Sequence, residues 1–302
     1  MSDLLGSNME HQQAHNRLGI TIVLNVVITL AQVVGGLISG SLALISDALH
    51  NLSDSLAVVL AYVANRLTSR EKTVKSTFGF QRAEILAAFI NALVLVGISF
   101  YLMIEAVQRY FNPAIVDFRW MLWLGLLGIV ANGFSVFLLH EHKHQNLNIK
   151  AAYLHLMGDA LTSVAVVLGA VCIWLWDWYW IDPTVTLLIS IYLLFHTYKL
   201  LKESTEILMQ FAPDHLLPEE IAARLAELEQ VERAYHIHIW RLTDKTIHFE
   251  GHVVINRDLK LSETESINQE LTHILKDEFG IQHITLQLEC NGTQRHSGPV
   301  SH

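Results

Sequence analysis

A chain of 302 residues is long enough for two domains. It is 52% hydrophobic and only 16% charged, whereas a soluble domain carries about a quarter charged residues, so an ordinary soluble protein is excluded. The net charge of -9 argues against a nucleic-acid partner, and Cys172 and Cys290 lie too far apart for a CxxC zinc pair or a disulfide framework.

Residues 1–17 are polar, include His11 and His15, and lack the basic-then-apolar layout of a signal peptide. They read as a cytosolic N-terminal segment. The hydrophobic excess is confined to 18–205. A membrane span needs roughly 20 mostly apolar residues, and six are predicted, at 18–39, 42–65, 84–108, 119–140, 151–176 and 183–203. The short Gly-Ser-Leu-Ala link makes the first two a hairpin, and Pro113 and Pro183 mark other turns.

Basic residues set the orientation. Arg66, Arg70, Lys72, Lys75 and Arg82 lie between spans two and three, Lys143 and Lys150 between four and five, and Lys199 and Lys202 close span six. The opposite loops hold only Arg109 and Arg119. Both termini are therefore expected in the cytoplasm. Trp174, Trp176, Trp178, Tyr179 and Trp180 form an aromatic belt at the outer end of span five.

Residues 206–290 change character. Pro218, Glu219 and Glu220 open a helix. Strand-like alternation follows at 236–240 and 248–255, separated by the turn Thr243-Asp244-Lys245. Ser262 and Glu265 suggest a capping box for a helix that Gly280 ends, and a last strand runs from His283 to Glu289. The order predicts an α-β-β-α-β domain, with a disordered tail at 291–302. Alternation puts His236 and His238 on one strand face, His248, Glu250 and His252 on another, and His283, Thr285, Gln287 and Glu289 on a third. Such a polar face meets a metal, a second protomer or only solvent.

The chemistry concentrates in two motifs, His50-x-x-x-Asp54 in span two and His155-x-x-x-Asp159 in span five. An ionisable residue at membrane depth is costly and reads as functional by default. Residues four apart share a helix face, so each motif aims an imidazole and a carboxylate in one direction. At 1.5 Å per residue, Asp54 and Asp159 fall about 12–20 Å from the outer and inner surfaces respectively, close to mid-bilayer. Two such helices facing each other offer two nitrogens and two oxygens, a set that suits zinc better than magnesium or calcium. The bland alternative is polar residues that lock helices together. Asp47, one turn before His50, is a candidate to orient the His50 ring. Asn25, Asn51 and Asn132 are weaker candidates, balanced against helix packing.

On these residues the chain resembles the cation diffusion facilitator family, in its zinc-transporting branch. The resemblance rests on GSLALISDALHNLSD at 40–54, FGFQR at 78–82, NLNIKAAYLHLMGD at 146–159, HIHIW at 236–240 and HITLQLE at 283–289. It implies a homodimer with six transmembrane helices and a cytosolic metallochaperone-like domain. It implies one transport site per protomer, made by His50, Asp54, His155 and Asp159, and exchange of zinc for protons. It also favours His252, His283 and Glu289, with His238 nearby, as a cytosolic zinc site that regulates transport. Phe78 to Arg82 would serve the dimer and helix packing. A further Asp/His site that some members carry after span two is not expected, because TSREKTVKST at 68–77 has neither residue.

One rival remains. HEHKH at 140–144 fits the H-E-x-x-H zinc-protease pattern. At the polar inner end of span four it reads better as a loose cytosolic histidine cluster or a solvated loop. The sequence thus points to a non-enzymatic zinc exporter working by alternating access, in a bacterial inner membrane by default. A membrane-embedded zinc sensor without flux is the alternative.

Overall fold

The computed structural model describes residues 26–140 and 147–290, with the side chains of 138–140, 147–152 and 155 outside that description. Its helices are α1 (Val26–Ser39), α2 (Leu42–Thr68), α3 (Ala83–Phe111), α4 (Phe118–His140), α5 (Leu147–Trp176), α6 (Ile181–Leu208), α7 (Pro218–Leu225) and α8 (Leu261–Asp277). Its strands are β1 (Val231–Arg241), β2 (Ile247–Ile255) and β3 (His283–Cys290).

Among the described residues, four helices, α3 to α6, are long and apolar enough to cross a membrane. They turn Leu93, Phe100, Phe137 and Phe195 outward, an exposure that water disfavours and lipid accepts. The described part of α1 is shorter. α2 has the length of a span, at 27 residues, but buries Ser46, Asp47, His50, Asn51, Ser53 and Ser55 along its course.

The chain forms two compact units, one of residues up to 62 with 90–200, the other of 63–89 with 201 onward. In the first, Ala43 and Leu44 of α2, Met121 of α4, Val166, Ala170 and Ile173 of α5 and Ile189 and Leu193 of α6 share one apolar core. α4 packs along α5. Gly128 of α4 permits this approach, since a Cβ there would stand 2.7 Å from Gln32 Nε2 and 2.9 Å from Ser163 Oγ. The first turn of α2 is capped from far away. Asp182, fully buried at the start of α6, accepts from Ser41 Oγ at 2.5 Å and from the Leu42 and Ala43 amides at 3.0 and 3.2 Å. These amides are otherwise orphaned at a helix start. Arg109 of α3 lies 3.6 Å from the same carboxylate and also donates to the Gly40 carbonyl.

The second unit holds a three-stranded mixed sheet in the order β1-β2-β3. β1 and β2 pair antiparallel, while β3 returns through α8 to pair parallel with β2. Ile237, Ile239, Phe249, Val253 and Ile255 pack on Ile221 and Leu225 of α7 and Ile267, Leu271, Ile274 and Leu275 of α8. Pro218 opens α7 as expected. Gly280 takes φ +65 after α8 and lets the Ile281 amide reach back to Leu275 O.

Two local readings need correction. The start of α8 is fixed by Glu263, whose carboxylate accepts the Lys260 amide at 2.8 Å, and not by Ser262 and Glu265. The chain turns into the helix at Lys260, two residues earlier than the Ser-x-x-Glu pattern suggests. The alternation of β1 is also broken, because His236 takes φ 51 and the pairing shifts register between Tyr235 and His238.

Phe249 is among the largest fully buried side chains of the second unit. Phe249→Ala is expected to destabilise this unit by about 3–5 kcal/mol. Chemical unfolding of the full-length protein in detergent, followed by hydrogen exchange of β2 peptides, measures that loss.

Candidate metal centre

His50 lies on α2 and Asp159 on α5, both nearly solvent-free. His50 Nε2 stands 3.1 Å from Asp159 Oδ1 and 3.6 Å from Asp54 Oδ2. The i, i+4 spacing on α2 does what the helix period requires, turning His50 and Asp54 to one side. Among the described residues, this trio is the group whose nitrogen and oxygen ligand atoms all lie within 4.8 Å of one another. His155 lies on α5, one turn before Asp159, but its side chain falls outside the described residues. The same is true of the HEHKH cluster, of Asn25, and of His11 and His15.

The trio is walled off on one side. Toward the start of α2, Asp47 accepts from Thr162 Oγ1 at 2.6 Å and Ser163 Oγ at 3.1 Å, both on α5, with Gln32 Nε2 of α1 at 3.5 Å. Gln32 also donates to the Leu124 carbonyl of α4. All of these side chains are buried. Asp47 therefore joins α2 to α5 and α1, a role that the expected link to His50 did not anticipate. Toward the end of α2 the enclosure loosens, and the Asp54 side chain is 31% exposed. There Tyr192 of α6 comes close to α5 because residue 158 is glycine. A Cβ at Gly158 would lie 2.3 Å from the Tyr192 hydroxyl. Sequence reading missed Thr162, Ser163, Gln32 and Tyr192. A hydroxyl pair three and four residues after Asp159 was the available signal.

In the second unit the structure divides the expected ligands. Glu289 Oε1 lies 2.8 Å from His252 Nδ1, and its other oxygen accepts from the Tyr235 hydroxyl at 2.7 Å. His236 packs its ring 5.1 Å from that of His252, and its Nε2 stands 3.4 Å from Nε2 of His238. His238, His252 and Glu289 thus gather near one end of the sheet, with His236 and Tyr235 added to them. The bulge at His236, which alternation cannot foresee, turns Tyr235 to Glu289. Burial pulls the Glu289 carboxyl upward, but hydrogen bonds from Tyr235, His252 and Gln287 outweigh it and hold the group below its ordinary value.

His283 lies elsewhere. Parallel pairing sets it opposite His248, with ring centroids 4.4 Å apart. Six residue steps along β3 separate it from Glu289, about 20 Å of strand. Sharing a face did not bring the two together within one chain. His248 is buried, stacked on Trp240 at 5.3 Å and met edge-on by Phe78 at 5.5 Å. Arg82 donates to the Arg241 carbonyl at the end of β1. The FGFQR segment therefore packs on the sheet, beyond any part in helix packing.

Burial, then the nearby His283 and Arg82, hold the His248 imidazole below its ordinary value. The folded chain thus binds fewer protons here than the unfolded chain between the lowered value and about 6.5, and stability falls as pH drops through that window. Amide exchange of β2 peptides, corrected for intrinsic rates, is expected to show less protection at pH 5.5 than at pH 7.5. His248→Phe is expected to flatten that dependence.

Comparison with known proteins accounts for almost all of the chain. The cation efflux transmembrane domain matches residues 18–209, and the cytoplasmic domain of cation efflux proteins matches 213–290. The cadmium, cobalt and zinc/H(+)-K(+) antiporter of Bacillus subtilis is 34% identical over 92% of this chain and 91% of its own length. The metal cation efflux system protein CzcD of Cupriavidus metallidurans is 35% identical over 94% and 90%. The zinc transporter ZitB of Escherichia coli is 35% identical over 88% and 86%.

Proposed function

The chain belongs to the cation efflux family, and on that premise we propose that it exports zinc from the cytosol in exchange for protons. Zinc is the cargo, and His50, Asp54, His155 and Asp159 are its ligands. The observation that carries this reading is the placement of His50 Nε2 within 3.6 Å of two carboxylates on different helices, deep in an apolar unit. The relatives' names, which include both zinc transport and an H(+) antiporter, support it.

The geometry suggests how exchange works. His50 Nε2 and Asp159 Oδ1 share a proton across 3.1 Å when no cation is present. A ligating histidine must give up that proton and offer its lone pair. Proton and cation therefore compete for one spot between His50, Asp54 and Asp159. When His50 is protonated on both ring nitrogens, loading zinc releases one of those protons, and rebinding a proton from the other side expels zinc. The carboxylates of Asp54 and Asp159 give the cation its counter-charge. The basic residues toward the C-terminal ends of α2 and α6, Arg66, Arg70, Lys199 and Lys202, support placing those ends on the cytosolic side. On that orientation Asp47, Thr162, Ser163 and Gln32 close the outer side, and Asp54 opens inward. This arrangement suits loading.

The reading carries six transmembrane helices, with α1 and α2 added to the four apolar ones, within a transport domain at 18–205. A cytosolic domain at 206–290 would regulate transport through zinc and pair two protomers, as the match to a dimer-forming cytoplasmic domain supports. His238, His252 and Glu289 are its candidate ligands from one cluster, and His283 from the other. Both termini would be cytoplasmic, in a bacterial inner membrane. The family is one of transporters, and no catalytic role is assigned.

Zinc uptake into proteoliposomes under an imposed pH gradient tests this. Wild type is expected to take up zinc faster with the gradient, and Asp159→Ala to fall more than about 100-fold. Zinc binding with no flux in either protein would favour a sensor. Flux indifferent to both pH gradient and voltage would remove the antiport.

A further inference from the structure

His196 belongs to neither motif, yet it lies on the approach to the candidate centre. The depth of residues on α2 and α6 can be compared, because Asp182 at the start of α6 caps the Leu42 and Ala43 amides at the start of α2. Counted from those linked ends at 1.5 Å per residue, His50 and Asp54 lie about 12 and 18 Å along α2. Tyr192 and His196 lie about 16 and 22 Å along α6. His196 thus sits a few ångströms beyond Asp54, on the side where the enclosure loosens.

Its direction is fixed by Tyr192. The two rings stack with centroids 6.1 Å apart and planes at 23°, as residues four apart on one helix face do. The Tyr192 hydroxyl reaches the backbone of Gly158, next to Asp159, close enough to interact electrostatically with Asp159 and Asp54. The stack therefore leads from the trio toward the C-terminal end of α6. His196 itself is exposed. An exposed imidazole this far along a membrane-length helix is costly against lipid and useful against a water-filled path.

We propose that His196, backed by Tyr192, is a staging site that takes a divalent cation from water before it reaches His50, Asp54 and Asp159. This rests on the transport reading for its direction of travel. A cation entering an apolar unit loses water ligands, and each loss is costly unless a protein ligand replaces it. One imidazole at the rim supplies the first replacement, and imidazole suits zinc. The cation then passes one helical turn to Asp54, the most exposed carboxylate of the trio. Held by too few ligands to stay, it does not add to the final stoichiometry.

Stopped-flow binding of zinc to the full-length protein in detergent micelles tests the staging site without requiring transport. His196→Gln is expected to slow association about ten-fold while stoichiometry stays unchanged. His196→Cys, which restores a metal ligand of different shape, is expected to keep association near wild type. Unchanged association in His196→Gln overturns the proposal. So does equal slowing in both variants, which would make His196 a packing partner of Tyr192. Loss of one bound zinc in His196→Gln also overturns it, by making the residue a resident ligand. Normal binding kinetics with no proteoliposome flux in wild type would instead defeat the transport reading alone.

Discussion

A carboxylate taken out of water must be given hydrogen-bond donors or a counter-charge, and the first unit is arranged around three that are. Asp47, Asp159 and Asp182 are all buried. Each finds its partners on another helix: Asp47 on α5 and α1, Asp159 on α2, and Asp182 on α2 and α3. Unpaired buried charge costs several kcal/mol or more, so these pairings fix which helices are neighbours. α2 takes part in all of them. It is the least uniformly apolar of the long helices, and its polar residues hold it in place.

The three carboxylates differ in what holds them. Hydroxyl, amide and guanidinium groups serve Asp47 and Asp182, and none of these gives up its proton near neutral pH. Asp159 is served by an imidazole, which does. α2 and α5 are therefore joined twice, once through hydroxyl groups at Asp47 and once through the imidazole of His50. The second unit separates its histidines in another way. The first and seventh residues of β3 stand far apart along the strand, and its parallel register beside β2 sets His283 against His248 and leaves Glu289 to reach His252.

Much of this was legible in the chain. The His-x-x-x-Asp spacing gave the shared helix face directly, since i and i+4 coincide on any α-helix. Pro218 and Gly280 marked helix limits through their backbone restrictions, and Ile237, Ile239, Val253 and Ile255 declared the buried face of the sheet by their period of two. What was not legible depended on chance between alternatives of similar energy or on distant packing. Either Glu263 or Glu265 could have closed the first turn of α8. A positive φ at a histidine has no sequence signature, so the turn of Tyr235 to Glu289 stayed hidden. The nearness of Tyr192 to Asp159 follows from how α6 lies on α5, and a glycine at 158 is one of 16 in the chain. The burial of His248 needed Phe78, some 170 residues away, to be seen.

The cap at the start of α2 carries a consequence for how the molecule is made. Ser41, Leu42 and Ala43 donate to a carboxylate that lies about 140 residues later in the chain. At a synthesis rate of about 5–20 residues per second, that partner emerges roughly ten seconds or more after the amides it serves. Until then the first turn of α2 must borrow water or lipid headgroups. The hairpin of α1 and α2 is thus left adjustable throughout insertion, and the arrival of α6 sets it. The last of the four apolar membrane-length helices to be made acts as the closing stitch for α2.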